Sequence, residues 1–346
     1  MSDTAPSPLV SVIMPVRNEA DHIAESLGAV LAQDYPADHM EILVIDDGST
    51  DNTRQVIAGL PGAARVRVLA APGAGGCVPA ALNVGIRAAR GEYVVRVDGH
   101  NTIAPDYVRR SVELLQTLEV DNVGGRWVIV GQTATERAIA AAMTSPFGVG
   151  GATWRVGAAA GEADTVPFGA YRRAALLALG GFDERLIRNQ DYELNWRLRA
   201  AGGRIYYDPA IWSVYHVKRN WRGLWRQYYQ YGLWKARVLR MHPRSGRLRH
   251  YVAPAFVAAL AGSGALALLG EWGRLLLALV MGSYAAAVGL ASLWTASKQG
   301  WEHLPRLPLA FAVLHLSWGL GFWRGLLLPR LTPLPPPDQP LRRPKA

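Results

Sequence analysis

One pattern recurs along the N-terminal part of the chain and limits what it can fold into. A short β-branched run stops on a polar cluster and gives way to a helical stretch. Leu9 to Val16 is apolar, bounded by Pro8 and Arg17, and leads into Arg17-Asn18-Glu19. "MEILVIDDGST" stops on Asp46-Asp47 before a short helix from Asp51, and "EYVVRVDGH" stops on Asp98-Gly99-His100. Near-continuous apolar runs of this kind are strands buried on both faces. Between them, Ile23, Leu27, Val30 and Leu31 share one face of a stretch that Asn18 is placed to cap and that runs to Gln33. A further strand is expected at Arg65–Ala70, a helix at Ala80–Ala89, and another from near Pro105 carrying Val108, Val112 and Leu115. The alternation predicts an α/β fold with a parallel doubly wound sheet. In such sheets ligands bind beyond the carboxyl ends of the strands. Polar side chains cost free energy to bury unless something pairs with them, so the three clusters are expected to line one crevice.

Further on, Thr144 to Glu162 is glycine-rich and reads as a long loop, a type often functional in compact domains. A strand follows around "TVPFGAYRR", then a helix from about Gln190 closed by Gly202-Gly203, then a last strand, "RIYYDPAIWSVYH". From Trp221 the pattern changes. Trp221, Leu224, Trp225, Tyr228 and Tyr231 recur at helical spacing, with Arg222, Arg226 and Arg237 elsewhere on the surface. That suits a helix lying in a membrane interface; packing on the domain is the plainer alternative. Tyr251–Gly270 and Leu275–Ala296 are apolar runs long enough to cross ~30 Å of hydrocarbon. Glu271-Trp272-Gly273-Arg274 is expected to join them as a tight hairpin, and Leu307–Phe322, with His315, is a weaker third run.

The formal charge of +10 admits nucleic acid, anionic lipid or a phosphate-bearing substrate. Position selects the membrane surface over nucleic acid, because arginines crowd between Arg219 and Arg249, just before the apolar runs. The same flank predicts a cytoplasmic side there. Three crossings would carry Arg342, Arg343 and Lys345 to the other side, so either the third segment is re-entrant or the charge rule yields. Cys77 is the sole cysteine, which excludes an internal disulfide and fits a reducing compartment. "MSDTAPSPLV" lacks a basic region followed by an apolar one, so no signal peptide is expected, and "LTPLPPPDQP" reads as a disordered proline-rich tail.

Taken in order, "VSVIMPVRNEADHIAESLGAVLAQDYP", "ILVIDDGSTDNT", "VRVDGH" and "GGFDERLIRNQDYELNWRLRAAGG" resemble the inverting glycosyltransferases of family 2, with the GT-A (Rossmann-like) fold. Within that family they look like the ExoA-like, succinoglycan-type exopolysaccharide glucosyltransferases, over roughly Val10 to Arg240. The organisation implied is a disordered tail at 1–8, a GT-A glycosyltransferase domain at 9–220, a basic amphipathic interface helix at 221–250, two to three membrane helices at 251–329 and a proline-rich tail at 330–346. The activity implied is transfer of a sugar, glucose in that subgroup, from a UDP-sugar to a lipid-linked saccharide at the inner membrane, with the catalytic domain facing the cytoplasm. Other polysaccharide-synthesis enzymes are candidate partners. A processive synthase, a polyprenyl-phosphate glycosyltransferase and a silent UDP-binding scaffold are the alternatives.

The resemblance also implies residue roles. Asp98 matches the first aspartate of the family's D-x-D, which holds the metal and the nucleotide; His100 replaces the second. A divalent metal, Mn²⁺ or Mg²⁺, is implied, with imidazole suiting the softer Mn²⁺. Asp47, helped by Asp46, is implied at the uracil or ribose, with Pro15 and Glu19 near the nucleoside and Gly169 where the backbone passes close to the donor. Asp191 matches the general base, and Gln190 replaces the usual glutamate before it. Trp154 and Asp164 are acceptor-side candidates, the ring for stacking on a pyranose and the carboxylate for its hydroxyls. The Q-x-x-R-W motif of processive members is matched only by "QYYQY", in which Gln230 and Tyr231 replace the arginine and the tryptophan. Addition of a single sugar is therefore expected.

Overall fold

The computed structural model describes residues 7–71, 75–157, 159–337 and 341. The outermost parts of both predicted tails lie outside the described residues. The chain divides into two compact units. The first comprises the chain up to Val128, Gly157–Tyr215 and the C-terminal residues from Leu334; the second comprises Ile129–Val156 and His216–Pro333.

The first unit is built on a sheet of nine strands among the described residues: β1 (Val10–Val16), β2 (Met40–Asp46), β3 (Val66–Ala70), β4 (Tyr93–Arg96), β5 (Thr102–Ile103), β6 (Asn122–Val130), β7 (Gly161–Glu162), β8 (Ala170–Arg172) and β9 (Ile205–His216). Their order is β3-β2-β1-β4-β8-β6-β9-β5, with β7 on β9. β3, β2, β1 and β4 run parallel, whereas β8 pairs antiparallel with both β4 and β6, and β5 and β7 pair antiparallel with β9. The sheet is thus mixed rather than wholly parallel. The parallel half was legible because β1, β2 and β4 are buried on both faces. The antiparallel half comes from short or glycine-broken strands with no such signature. In β6 a side chain at Gly124 would strike Val166, and one at Gly125 would strike the Ile211 carbonyl.

Val10, Val12, Met14, Ile42, Val44, Tyr93 and Val95 pack with Ile23, Leu27 and Val30 of the helix Ile23–Leu31 and with Val108, Val112 and Leu115 of the helix Tyr107–Thr117. The first of these helices starts later than Asn18. Asn18 adopts a left-handed backbone (φ 54°), and its Oδ1 accepts from the Thr50 N–H at 2.8 Å, tying the end of β1 to the loop after β2 instead of capping a helix.

The second unit is helical. The helix Ala134–Thr144, opened by a capping box in which Thr133 accepts from the Glu136 N–H, runs up to the stretch expected as a long loop, and that stretch itself holds two single-turn helices, Pro146–Val149 and Thr153–Val156. The predicted aromatic-basic helix is Trp221–Met241, with Leu224, Tyr228, Gly232, Ala236 and Leu239 buried. It packs on the helix Leu307–Leu327 through glycines. A Cβ at Gly321 would lie 2.0 Å from the Tyr229 carbonyl oxygen, one at Gly325 2.3 Å from that of Leu233, and one at Gly232 2.1 Å from that of Trp318. Small residues four apart let helix backbones approach this closely.

The apolar runs form the helices Val252–Ala267 and Glu271–Gln299. The turn falls at Leu268–Gly270, and Glu271–Arg274, expected as the connection, is the first turn of the second helix. Among the described residues, Glu271–Gln299 is the helix long and apolar enough to cross a membrane. Its 29 residues rise ~44 Å, against ~24 Å for the 16 residues before it. Leu275, Leu279 and Leu290 on it are exposed.

Candidate functional site

The parallel strands deliver the acidic clusters to one edge of the sheet. Val16 is in register with Asp46, the Asp47 N–H donates to the Val16 carbonyl at 3.0 Å, and the Val97 N–H donates to the Ile13 carbonyl at 3.0 Å. Gly99 belongs to this junction, since a Cβ there would lie 2.8 Å from a Val16 methyl. Its carbonyl accepts from the Ser26 hydroxyl at 2.7 Å, so the turn after β4 is pinned to the helix Ile23–Leu31.

Two of the predicted carboxylates meet on a residue that the sequence reading passed over. Arg96 closes β4, with its side chain 3% exposed. Its Nε donates to Asp98 Oδ1 at 2.8 Å and its NH2 to Asp98 Oδ2 at 3.1 Å, while NH1 donates to Asp191 Oδ1 at 2.5 Å. The guanidinium also lies over two rings, Phe168 at 5.1 Å and Phe182 at 5.9 Å. The signal was present in the sequence: residues two apart on a strand share a face, so "RVD" places an arginine beside its aspartate.

Asp191 is carried by the helix Gln190–Ala200, whose body is fixed by buried polar contacts. Arg197 donates to Glu193 through Nε (2.8 Å) and NH2 (2.9 Å), and reaches the carbonyls of Leu179 (2.6 Å) and Gly181 (2.7 Å). Asn195 donates to Thr165 Oγ1 at 2.8 Å and to the Val166 carbonyl at 2.9 Å, and accepts from Asn122 at 2.8 Å. Burial pushes the Asp191 carboxyl above the usual carboxylate range; Arg96 opposes the rise and the Asp98 charge adds to it.

The other predicted residues divide by what already holds them. Asp46 accepts from the Ser49 N–H at 2.9 Å and pairs with Arg54. Burial raises its pKa, but these bonds outweigh burial and hold the carboxyl below its ordinary range. Asp47 is buried and accepts from the Gly76 N–H at 2.6 Å. Glu19 Oε1 lies 2.9 Å from His100 Nδ1, and the Glu19 N–H donates to Thr53 Oγ1 at 2.9 Å. Pro15 is buried in β1 opposite Ile45. At Gly169 a Cβ would sit 2.1 Å from Asn122 Oδ1 and 2.8 Å from the Tyr171 ring, so packing within the chain accounts for this glycine. Asp164 is half-buried between β7 and β8. Trp154 is half-buried on the helix Thr153–Val156 in the second unit. Asp183 is held by Arg185 (2.7 Å), and Glu184 accepts from Asn83 at 2.9 Å.

The comparisons with known proteins agree with this architecture. The model of glycosyl transferase family 2 matches residues 11–180. The succinoglycan biosynthesis protein ExoA of Rhizobium meliloti (strain 1021) is 33% identical over 328 residues, which is 94% of this chain and 97% of that protein. The chain belongs to glycosyltransferase family 2. It is accordingly a glycosyltransferase. A second relative of this family-2 enzyme, a dolichyl N-acetyl-alpha-D-glucosaminyl phosphate 3-beta-D-2,3-diacetamido-2,3-dideoxy-beta-D-glucuronosyltransferase of Methanococcus voltae, is 26% identical over 254 residues, 67% of this chain and 74% of that one. Among solved structures, the mannosyltransferase PcManGT of Pyrobaculum calidifontis, in complex with GDP-Man and Mn²⁺, superposes with a TM-score of 0.59 at 24% identity, covering 91% of this chain and 90% of that one. The family-2 chain therefore has the GT-A fold.

Proposed function

We propose that this glycosyltransferase acts with inversion at a membrane, moving a hexose from a UDP-sugar to a lipid-linked saccharide in exopolysaccharide synthesis. The observation that carries the reading is the meeting of Asp98 and Asp191 on Arg96 where β4 ends. Asp98 belongs to the donor side and Asp191 to the acceptor side. The acceptor hydroxyl oxygen attacks the anomeric carbon, the glycosidic C–O bond breaks, and its electron pair leaves with the diphosphate. The hydroxyl proton passes to Asp191. A carboxylate with raised proton affinity is a better base than an ordinary one, and 22% of the Asp191 side chain is accessible for a hydroxyl to reach. Asp47 and Glu19 are proposed to hold the nucleoside. Asp46 contributes by shaping the loop after β2, since its oxygens are occupied by Ser49 and Arg54. Pro15 and Asp164 are retained as candidates for the roles given them above, whereas packing accounts for Gly169.

The residues present fit a divalent cation of the kind nucleotide sites use, in which one or two protein ligands suffice and phosphate oxygens and water supply the rest. The Arg96 fork takes one lone pair on each Asp98 oxygen and leaves others for a metal. Asn101, in the same turn, is buried with neither atom of its amide bonded by the described residues, as suits a loop that closes on a polar ligand. Asp98 would hold the cation with His100 beside it, and the cation would neutralise charge developing on the diphosphate.

The ExoA relative's succinoglycan biosynthesis supports the exopolysaccharide assignment, and the dolichyl N-acetyl-alpha-D-glucosaminyl phosphate in the M. voltae relative's name supports a lipid-linked saccharide as acceptor. The exposed leucines of Glu271–Gln299 support an anchor in the bilayer. The test is incubation of membranes bearing the full chain with labelled UDP-hexoses, GDP-mannose and lipid extract. A lipid-linked product extended by a single hexose from a UDP-sugar is expected. Incorporation from GDP-mannose alone, or label only in free sugar, contradicts the proposal.

A further inference from the structure

The transfer as written uses Asp98 and Asp191 and gives Arg96 no part, yet Arg96 is the group that joins them. The side chain is buried at the end of β4 and divides one positive charge between two carboxylates, which leaves the trio with a net negative charge. Its plane is fixed from both sides. The fork on Asp98 sets its direction, while the Phe168 and Phe182 rings lie against it at 5.1 and 5.9 Å. Phe168 is itself held in an unusual state, with a left-handed backbone (φ 47°) and its carbonyl accepting from the Tyr107 hydroxyl at 2.8 Å. A bulky side chain at positive φ is strained and persists only where the surroundings impose it. Here those surroundings include the Tyr107 hydroxyl, the Trp127 ring at 5.3 Å and Arg96 itself.

We propose that Arg96, seated by its fork on Asp98, is a positioning residue that aligns the base Asp191 before the acceptor arrives. The inference rests on Asp191 being the base. With its side chain 3% exposed, Arg96 is out of reach of the nucleotide, so its loss is expressed in turnover rather than in donor affinity. Lysine would not replace it, because a single ammonium cannot hold three bonds in one fixed plane.

The test uses the full chain in detergent, with Arg96→Lys, Arg96→Ala and Asp191→Asn compared for UDP affinity by calorimetry, for kcat and KM, and for circular dichroism. Arg96→Lys is expected to keep its UDP Kd within about threefold and to lose about 10²-fold in kcat, the scale of a misplaced catalytic group. Added guanidinium is expected to restore kcat to Arg96→Ala without moving its KM for the UDP-sugar. The double variant Arg96→Lys/Asp191→Asn is expected to be no slower than Asp191→Asn alone, because Arg96 acts through Asp191. Parental kcat in Arg96→Lys overturns the proposal. So does a loss confined to UDP affinity, or a further drop in the double variant. Where Arg96→Lys fails to fold, absence of guanidinium rescue in a folded Arg96→Ala overturns it equally. An active Asp191→Asn sinks the base assignment itself, whereas an inactive Asp191→Asn beside a fully active Arg96→Lys sinks only the positioning role.

Discussion

Arg197 ties the helix that carries Asp191 to the Leu179 and Gly181 carbonyls and pairs with Glu193 on the same helix, and breaking that buried pair should be costly in a predictable way. Glu193 has no exposed side-chain surface and Arg197 has 6%. Arg197→Met would leave the Glu193 carboxylate without its bidentate partner and strip the Leu179 and Gly181 carbonyls of their donors. Removing one member of a buried pair costs about 3–5 kcal/mol, and each orphaned carbonyl adds about 1–3 kcal/mol where water cannot replace the donor. A loss of at least about 4 kcal/mol follows, a large share of the ~5–15 kcal/mol that holds a domain together. Glu193→Gln leaves both carbonyl bonds in place but turns one of the two acceptors into an amide NH2 facing an Arg197 N–H and leaves the guanidinium buried without its counter-charge, so about 3 kcal/mol or more is expected. For a unit of about 200 residues, 1 kcal/mol moves Tm by about 2–4 °C. Thermal unfolding of the full chain in detergent should show Arg197→Met falling by about 8 °C or more, and Glu193→Gln by about 6 °C or more. Shifts of only about 1 °C in the two variants would refute the view that this pair and the carbonyl bonds of Arg197 hold the helix.

Two further outcomes follow from the geometry. Because burial raises the Asp191 pKa and the base must be ionised, kcat is expected to fall with decreasing pH along an acid limb centred above the ordinary aspartate value of ~3.9; a limb at or below that value, read from initial rates across buffers, would contradict the environment described. Gly321→Leu should separate the helices Trp221–Met241 and Leu307–Leu327, since its side chain would run into the Tyr229 carbonyl, and a thermal midpoint unchanged from the parent would contradict that packing.

What the sequence made legible follows from how each element is buried. β1, β2 and β4 show as runs because both faces are covered, and their polar ends mark the ligand edge for the same reason. β6 does not show, because Gly124 and Gly125 interrupt its pattern where Val166 and Ile211 press against the backbone. The sheet's antiparallel half depends on such tertiary contacts, which no local period encodes. Asn18 looked like a cap because asparagine serves caps and left-handed turns alike; its partner, Thr50, lies across the sheet edge. Glu271–Arg274 looked like a break because it is polar and holds a glycine, yet acidic residues also suit a helix's first turn, and that is where Glu271 lies. At the site, the aspartates were readable one at a time. Their linkage through Arg96 was not, because it requires the helix Arg173–Ala178 and the loop that follows it to bring Asp191 back beside β4.

The central claim is that Asp191 takes the acceptor proton while the nucleotide is held elsewhere on the same edge. The most direct measurement is Asp191→Asn in the full chain, with UDP affinity and sugar transfer determined on one preparation. Removing a general base typically costs ~10²–10⁴-fold in rate, so transfer should drop by about that factor with the UDP Kd unchanged within about threefold. Transfer at the parental rate, or loss of UDP binding in step with activity, would contradict the account.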